Sequence, residues 1–223
     1  FSLEMEIYSI DECFLKITGS EEDLTRAAIE IRQRVQKWVG MPVSVGISLT
    51  KTLAKAANRF AKKNKELNGH YVLIDSEKIG LCLSKLAVED IWGIGRKKAE
   101  KLNHSGIKTA VDFLKLNEKW VRANLGGITG LKTLWELQGS PMFKIEESPA
   151  PKKQIISSCS FGNEVASFKE LSEAVSEYIC NAALKLRRQK SKAKRVQVFI
   201  QTNPFHKKDD FKFLTGSKDL AVS

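Results

Sequence analysis

Residues 90–102 read Asp90-Ile91-Trp92-Gly93-Ile94-Gly95-Arg96-Lys97-Lys98-Ala99-Glu100-Lys101-Leu102. An apolar residue, a Gly-x-Gly turn and a basic helix make a helix–hairpin–helix pattern. Its two glycines let backbone N–H groups point outward at a helix N-terminus, where a phosphate can dock. Lys97 and Lys98, with Arg96 ahead of them, add charge without reading bases. Ile94 and Ile107 are expected to point into the core. A Gly-x-Gly turn can also serve only as a tight bend, but the attached basic helix favours phosphate. Residues 125–138 (LGGITGLKTLWELQ) look like a degenerate second copy.

Around this motif, from Leu86 to Gln138, strand signals vanish. Short helices separated by Gly93, Gly95, Gly106, Gly126, Gly127 and Gly130 predict a small helical domain over 86–138. Upstream, MEIYSIDECFLKI (5–17) reads as two β-like runs around a polar turn, a hairpin with carboxylates at its tip. Leu24, Ala27, Ala28, Ile31, Val35 and Trp38 have helical spacing, and Gly40 with Pro42 ends that helix. Residues 42–48 alternate like a strand. Thr50 is the expected N-cap of a basic helix over 50–63. Asn68-Gly69 is a turn, Tyr71–Ile74 a strand, and Ser76 the expected cap of a further helix to Leu83. The alternation over 1–85 predicts a βαβ-type or ferredoxin-like layout. Downstream, Pro141, Pro149 and Pro151 mark 139–153 as an interdomain linker. Residues 154–202 then predict strand (QIISSCSFG), helix (168–189) and strand (RVQVFIQT), before a weakly patterned tail. The fold class is multidomain α+β.

The chain has 223 residues and 42% hydrophobic residues, enough for a packed core. No apolar run approaches the roughly 20 residues that cross a bilayer, and the acidic start has no signal-peptide pattern. A cytoplasmic protein is expected, with no membrane role. Phe1 in place of an initiator Met points to an internal fragment. Charge is uneven: residues 1–49 hold 5 Lys/Arg against 8 Asp/Glu, and the remainder holds 32 against 18. A net charge of +11 so distributed suits a polyanion partner such as nucleic acid, though a solvated Lys-rich surface gives the same totals. Cys13, Cys82, Cys159 and Cys180 are far apart, as are the three histidines, so ligand spacing speaks against zinc. Lone cysteines fit a reducing compartment, as small apolar residues.

Three further places carry chemistry. Asp11 and Glu12 can converge at a turn, and carboxylate oxygens suit Mg²⁺, two ions of which can stabilise the attacking and leaving oxygens of phosphoryl transfer. A bare Asp-Glu pair is more often a solvated turn. In Thr50–Lys63, Lys55 lies one turn after Lys51, so both can face one phosphate; a solvated basic helix face is the plainer reading. The 185–195 cluster (KLRRQKSKAKR), with Arg187, Arg188, Lys194 and Arg195, can track a nucleic-acid backbone or be a basic loop.

In order along the chain, Y-S-I-D-E-C-F, T-K-T-L-A-K, D-I-W-G-I-G-R and I-S-S-C-S-F-G resemble the Y-family translesion DNA polymerases, in their UmuC branch. The likeness spans residues 3–205. The W-G-I-G form and Asn203-Pro204-Phe205 point to the branch, and Cys13 stands where the family often has alanine. The resemblance implies a later part of the palm at 1–85, the thumb at 86–138 and a partial little finger at 154–223. It implies Asp11 as a metal-binding catalytic carboxylate and Glu12 as its acidic neighbour at the primer end. Lys55 matches a lysine on the incoming triphosphate, assisted by Lys51. Gly93, Gly95 and the basic residues after them match the hairpin that grips duplex DNA. Implied ligands are two Mg²⁺ ions, primer–template DNA and a deoxynucleoside triphosphate. Implied partners are a sliding clamp, a UmuD′-like subunit and RecA, in error-prone synthesis of the SOS response. The first metal-binding Asp and the ribonucleotide-excluding aromatic belong to a segment ahead of Phe1. The 223-residue chain alone is therefore expected to be inactive. Two rivals stay open: a non-enzymatic DNA-backbone-binding fragment, and a nuclease, which would need more carboxylates near Asp11.

Overall fold

The computed structural model describes residues 1–148, 151–202 and 211–221. The chain divides into two compact units, Phe1–Ser148 and Pro149–Ser223. The division falls inside the stretch read as a linker. Asn203-Pro204-Phe205 and Pro149 lie outside the described residues.

The first unit begins with an antiparallel hairpin, β1 (Met5–Ile7) and β2 (Cys13–Leu15), in the register Met5↔Leu15 to Ile7↔Cys13. Helix α1 (Glu21–Val39) starts in a capping box. Ser20 Oγ accepts from the Asp23 amide, and the Asp23 carboxylate accepts from Ser20 in return. It ends at Gly40, whose φ of 74° is cheap only without a Cβ. Leu24 and Ala28 are buried, but Trp38, placed on the apolar face by its spacing, is 73% exposed beneath the Arg34 guanidinium.

Strand β3 (Val45–Ser48), helix α2 (Lys51–Lys63) and strand β4 (His70–Leu73) form a βαβ unit with β3 and β4 parallel. Thr50 is the N-cap, accepting from Leu53 N at 3.2 Å. Helix and strand meet backbone to backbone at Gly46, where a Cβ would lie 2.1 Å from Asn58 N. Helix α3 (Ser76–Lys85) is capped by Asp75 rather than Ser76: its carboxylate accepts from the Glu77 and Lys78 amides, both at 3.0 Å. The negative charge of a carboxylate at that position also suits the positive end of the helix dipole.

Four short helices follow: α4 (Arg96–His104), α5 (Ala110–Leu114), α6 (Glu118–Asn124) and α7 (Ile128–Leu137). They do not form a separate body. One core cluster runs from Leu53, Ala57 and Leu73 through Leu83, Ile91, Ile94 and Leu102 to Phe113, Leu125, Leu134 and Leu137, with Ile107 packed against it. The spans 1–85 and 86–138, expected as two domains, thus share one interior.

A buried carboxylate fastens them. Glu136, on α7, is fully buried. Its Oε2 accepts from Thr52 N at 3.0 Å, at the start of α2, and Oε1 accepts from Met142 N (2.6 Å) and Phe143 N (3.0 Å). Thr50 Oγ1 donates to the Glu136 carbonyl at 2.8 Å. Within 139–148 the chain is therefore tied at Met142 and Phe143, whose amides meet a charge that burial leaves without water.

The second unit contains helix α8 (Phe168–Arg188) and an antiparallel ribbon, β5 (Arg195–Gln201) and β6 (Phe213–Asp219). β6 was not visible in the weak periodicity of the tail. Conversely, 154–162 forms no strand. Nearby backbone groups are taken by side chains of the α8 end: Gln189 bonds both Lys152 N and Lys152 O, and Lys185 Nζ reaches Ile156 O. Without a ladder partner, β propensity alone does not make a strand. Of the cysteines, Cys82 is buried and behaves as a small apolar residue; Cys13, Cys159 and Cys180 are exposed.

Replacing Glu136 with Ala leaves the buried Thr52 amide and the part-buried amides of Met142 and Phe143 without that acceptor. Equilibrium denaturation of the chain should show a loss of about 3–5 kcal/mol, against less than about 1 kcal/mol for Glu66→Ala on the exposed surface. Equal effects would show that the carboxylate is no fastener.

Candidate active site

The hairpin β1–β2 turns over residues 8–12. Tyr8 N and Ser9 N both donate to Glu12 O at 3.0 Å, closing the turn, and Ser9 Oγ donates to Asp11 Oδ1 at 2.7 Å. Asp11 is exposed at the tip. Glu12 Oε1 accepts from Lys55 Nζ at 2.5 Å, so the structure brings Asp11, Glu12 and Lys55 into one place.

Lys51 is placed differently from the expectation that it joins Lys55 at one phosphate. It is buried, its ammonium bound to the Glu6 carboxylate and to Lys144 O (2.6 Å), and it lies 5.0 Å from the centre of the Phe14 ring. The same Glu6 oxygen accepts from Glu146 N at 2.7 Å. Burial would raise the Glu6 carboxyl; the hydrogen bonds from Lys51 and Glu146 outweigh it, and its pKa falls below the ordinary 4.5. Lys51 is a strut between β1, α2 and the segment after α7. Glu6, like Glu136, carries no signal in one sequence beyond being a carboxylate in a strand.

Trp92 packs edge-on against Tyr8 (ring centres 5.5 Å), against Phe14 (5.5 Å) and edge-on against Phe143 (5.4 Å). Its Nε1–H donates to Tyr8 Oη at 3.1 Å. Asp90, two residues earlier, is paired with both Arg59 and Lys63 of α2, the latter at 2.9 Å. Burial pushes the Asp90 carboxyl up, but the two cations prevail and hold it below its usual 3.8.

After Trp92 the two glycines differ. Gly93 has φ +90°, and a Cβ there would meet Thr133 Oγ1 at 3.2 Å. Gly95 is the N-cap of α4 in extended conformation, and a Cβ there would meet nothing within 4 Å. The conformation requires Gly93, whereas Gly95 keeps the helix start open. Gly95, Arg96, Lys97 and Lys98 line a shallow open depression. Arg96 is bonded to Glu100 at 3.0 Å and Lys97 is exposed. Unpaired amides at a helix start beside three cations can take an anion. The supposed second copy has two positive-φ glycines, Gly126 and Gly127, ahead of α7, but no basic first turn.

In the second unit Arg187, Arg188 and Lys194 are exposed around the end of α8. Arg195 is bidentate to Asp219, at 2.6 and 3.2 Å, which commits it to the β5–β6 ribbon.

As metal donors, Asp11 and Glu12 offer the hard oxygens that Mg²⁺ prefers. No group of three potential ligands occurs among the described residues. Mg²⁺ commonly takes one or two carboxylates and completes its shell with water and phosphate, so the pair fits part of a site. Among the described residues no helix is long and apolar enough to cross a membrane.

Three models of one family match along the chain: the impB/mucB/samB family over residues 1–59, the IMS family HHH motif over 79–107, and the impB/mucB/samB C-terminal domain over 152–222. Protein UmuC of Salmonella typhimurium is 40% identical over 204 residues, 90% of this chain and 48% of that one. Protein SamB of the same species is 36% identical over 205 residues, 90% of this chain and 48% of that one. The chain thus spans about half the length of the curated relatives it matches. Among solved structures, a Y-family DNA polymerase chimera of Dbh and Dpo4 covers 99% of this chain with a TM-score of 0.75 at 24% identity, using 61% of its own length. That likeness is one of fold.

Two tests follow from the site. Gly93→Ala should cost about 1–3 kcal/mol of stability, and Gly95→Ala less than about 1 kcal/mol. Gly95→Ala should nevertheless weaken duplex-DNA binding, measured by anisotropy at low salt, more than Gly93→Ala does at a temperature where both are folded. Acid supplies the second test. Carboxyls lowered on folding contribute stability above their unfolded values, 4.5 for Glu6 and 3.8 for Asp90, and lose it as pH falls through the lower folded ones. The double variant Glu6→Gln, Asp90→Asn should lose less stability between pH 5 and pH 2 than the parent, though starting from a lower value.

Proposed function

Because the chain belongs to the impB/mucB/samB family, we propose that it is part of an error-prone translesion DNA polymerase of the Y family, joining deoxynucleotides to a primer on a DNA template. The observation that carries this is the meeting of Asp11, Glu12 and Lys55 at one loop, in the same compact unit as the hairpin at 93–98. A carboxylate pair for cations, an ammonium for phosphate and a backbone anion site are the parts that nucleotidyl transfer requires.

In this reading Asp11 and Glu12 hold Mg²⁺. The metal, when bound, lowers the cost of negative charge on the reacting oxygens. Lys55 leaves Glu12 for the triphosphate, holding its phosphate oxygens and offsetting their charge. Lys51 keeps the start of α2 fixed rather than touching substrate. The amides after Gly95 and the cations Arg96, Lys97 and Lys98 grip the DNA backbone without base preference, and in the second unit Arg187, Arg188 and Lys194 offer backbone contacts of their own. Such loose, sequence-neutral contacts suit distorted templates. The same proposal gives the whole protein a cytoplasmic place in SOS mutagenesis, with a sliding clamp, a UmuD′-like subunit and RecA as partners; the support for these is the family alone.

The 40% identity to UmuC and the metal-type donors at Asp11 and Glu12 favour polymerase over a fragment that only binds DNA backbone. Primer extension by the full-length protein separates the two. Asp11→Ala should abolish extension and change DNA affinity less than about twofold. Lys55→Ala should lower kcat/KM for the nucleotide about 10- to 100-fold, the loss of a charge-assisted hydrogen bond. Unchanged extension in Asp11→Ala would falsify its assignment to the metal.

A further inference from the structure

We propose that Trp92 is a positioning residue for the Asp11–Glu12 loop, through which the DNA-gripping hairpin sets where those carboxylates stand. The proposal rests on the reading of residues 8–12 as catalytic.

The loop has little to hold it. Ile10 is fully exposed and Ile7 is 73% exposed, so no apolar side chain from its top anchors it in the core. Its internal bonds close the turn without fixing it to anything else. Among the described residues, two hydrogen bonds from outside the hairpin reach residues 8–12: Lys55 to Glu12 and Trp92 to Tyr8. The first must break if Lys55 is to serve phosphate. During turnover the Trp92 bond is then the one that remains.

Trp92 is well placed for this work. Its neighbours Ile91 and Ile94 are 2% and 6% exposed, so its backbone is held by the core on both sides. Asp90, just before it, is paired with two cations of α2. Its ring also packs edge-on against Phe143, whose amide is bound to the buried Glu136. A rigid indole therefore presents an N–H to the Tyr8 hydroxyl. Tyr8 in turn donates its own amide to Glu12 O, the bond that closes the loop. Tyr8 is half-exposed, so rotation of its ring into water is the alternative the indole suppresses. Edge-to-face rings and one neutral hydrogen bond are each modest, enough to bias a loop without freezing it.

Two conservative variants test this. Trp92→Phe keeps an aromatic ring and removes the N–H; Tyr8→Phe keeps the ring and removes the acceptor. In the 223-residue chain, amide exchange at Tyr8 and Ser9 should quicken about three- to tenfold in each, with exchange at Leu102 and Leu134 unchanged. The double variant should be no faster than either single one, because both remove the same bond. In the full-length protein Trp92→Phe should lower kcat for extension by a similar factor, with nucleotide KM and DNA affinity held. Exchange that is unchanged at 8–9, or that quickens everywhere at once, overturns the proposal. So does full kcat in a variant whose loop has loosened. If the parent protein extends no primer, the polymerase reading fails, and the exchange data still decide whether Trp92 holds the loop.

Discussion

Glu136 sits where water cannot reach it, and a charge so placed must be met by donors from the protein itself. The donors are backbone amides from two other stretches, the remote Thr52 at the start of α2 and the nearby Met142–Phe143 just beyond α7. One carboxylate therefore fixes three chain segments to one another. The orientation of α2 follows, and with it the positions of Lys51 and Lys55. The path of residues 142–146 follows too, which brings Lys144 O to Lys51, Glu146 N to Glu6 and the Phe143 ring to Trp92. A helix start is a favourable place for such a charge, because its first amides lack intrahelical partners.

Above this fastener the functional groups fall into two tiers. The lower tier is committed to protein partners: the part-buried Glu6 with the buried Lys51, and the part-buried Asp90 with the exposed Arg59 and Lys63. The upper tier is exposed and exchangeable: Asp11, the Glu12–Lys55 pair, and the open start of α4. Removing Glu6 would strand the buried Lys51 ammonium, so that pair is worth keeping only as a complete set. Charged groups in the upper tier can trade partners with cations and phosphates at small cost. Lys51 and Lys55 are one turn apart on the same helix and belong to different tiers.

Much of this was legible from residues alone, because it is written in local chemistry. The carboxylates of the 8–12 turn, the Thr50 cap, the Gly-x-Gly start of α4 and the burial of Ile94 each depend on neighbours within a few positions. The division of labour between Lys51 and Lys55 was not legible, since it depends on Glu6, 45 residues away. Glu136 gave no signal, as a carboxylate near the end of a helix reads as solvated surface. The expected strand at 154–162 failed for want of a ladder partner, and β6 escaped because Phe213–Asp219 alternates weakly. Family resemblance, by contrast, was carried by the order of four short motifs and needed none of these contacts.

The hairpin at residues 5–15 is small, yet its attachments span most of the first unit's sequence. Glu6 is tied to Lys51 and to Glu146, and Tyr8 to Trp92, across separations of 45, 140 and 84 residues. Each is a long loop closure whose entropy no two-stranded ribbon could offset by itself. Their cost is offset by the burial of the shared core from Leu53 to Leu137. Order at the Asp11–Glu12 turn is thus a high-contact-order property of the folded unit, and an excised hairpin would keep the carboxylates and lose their geometry.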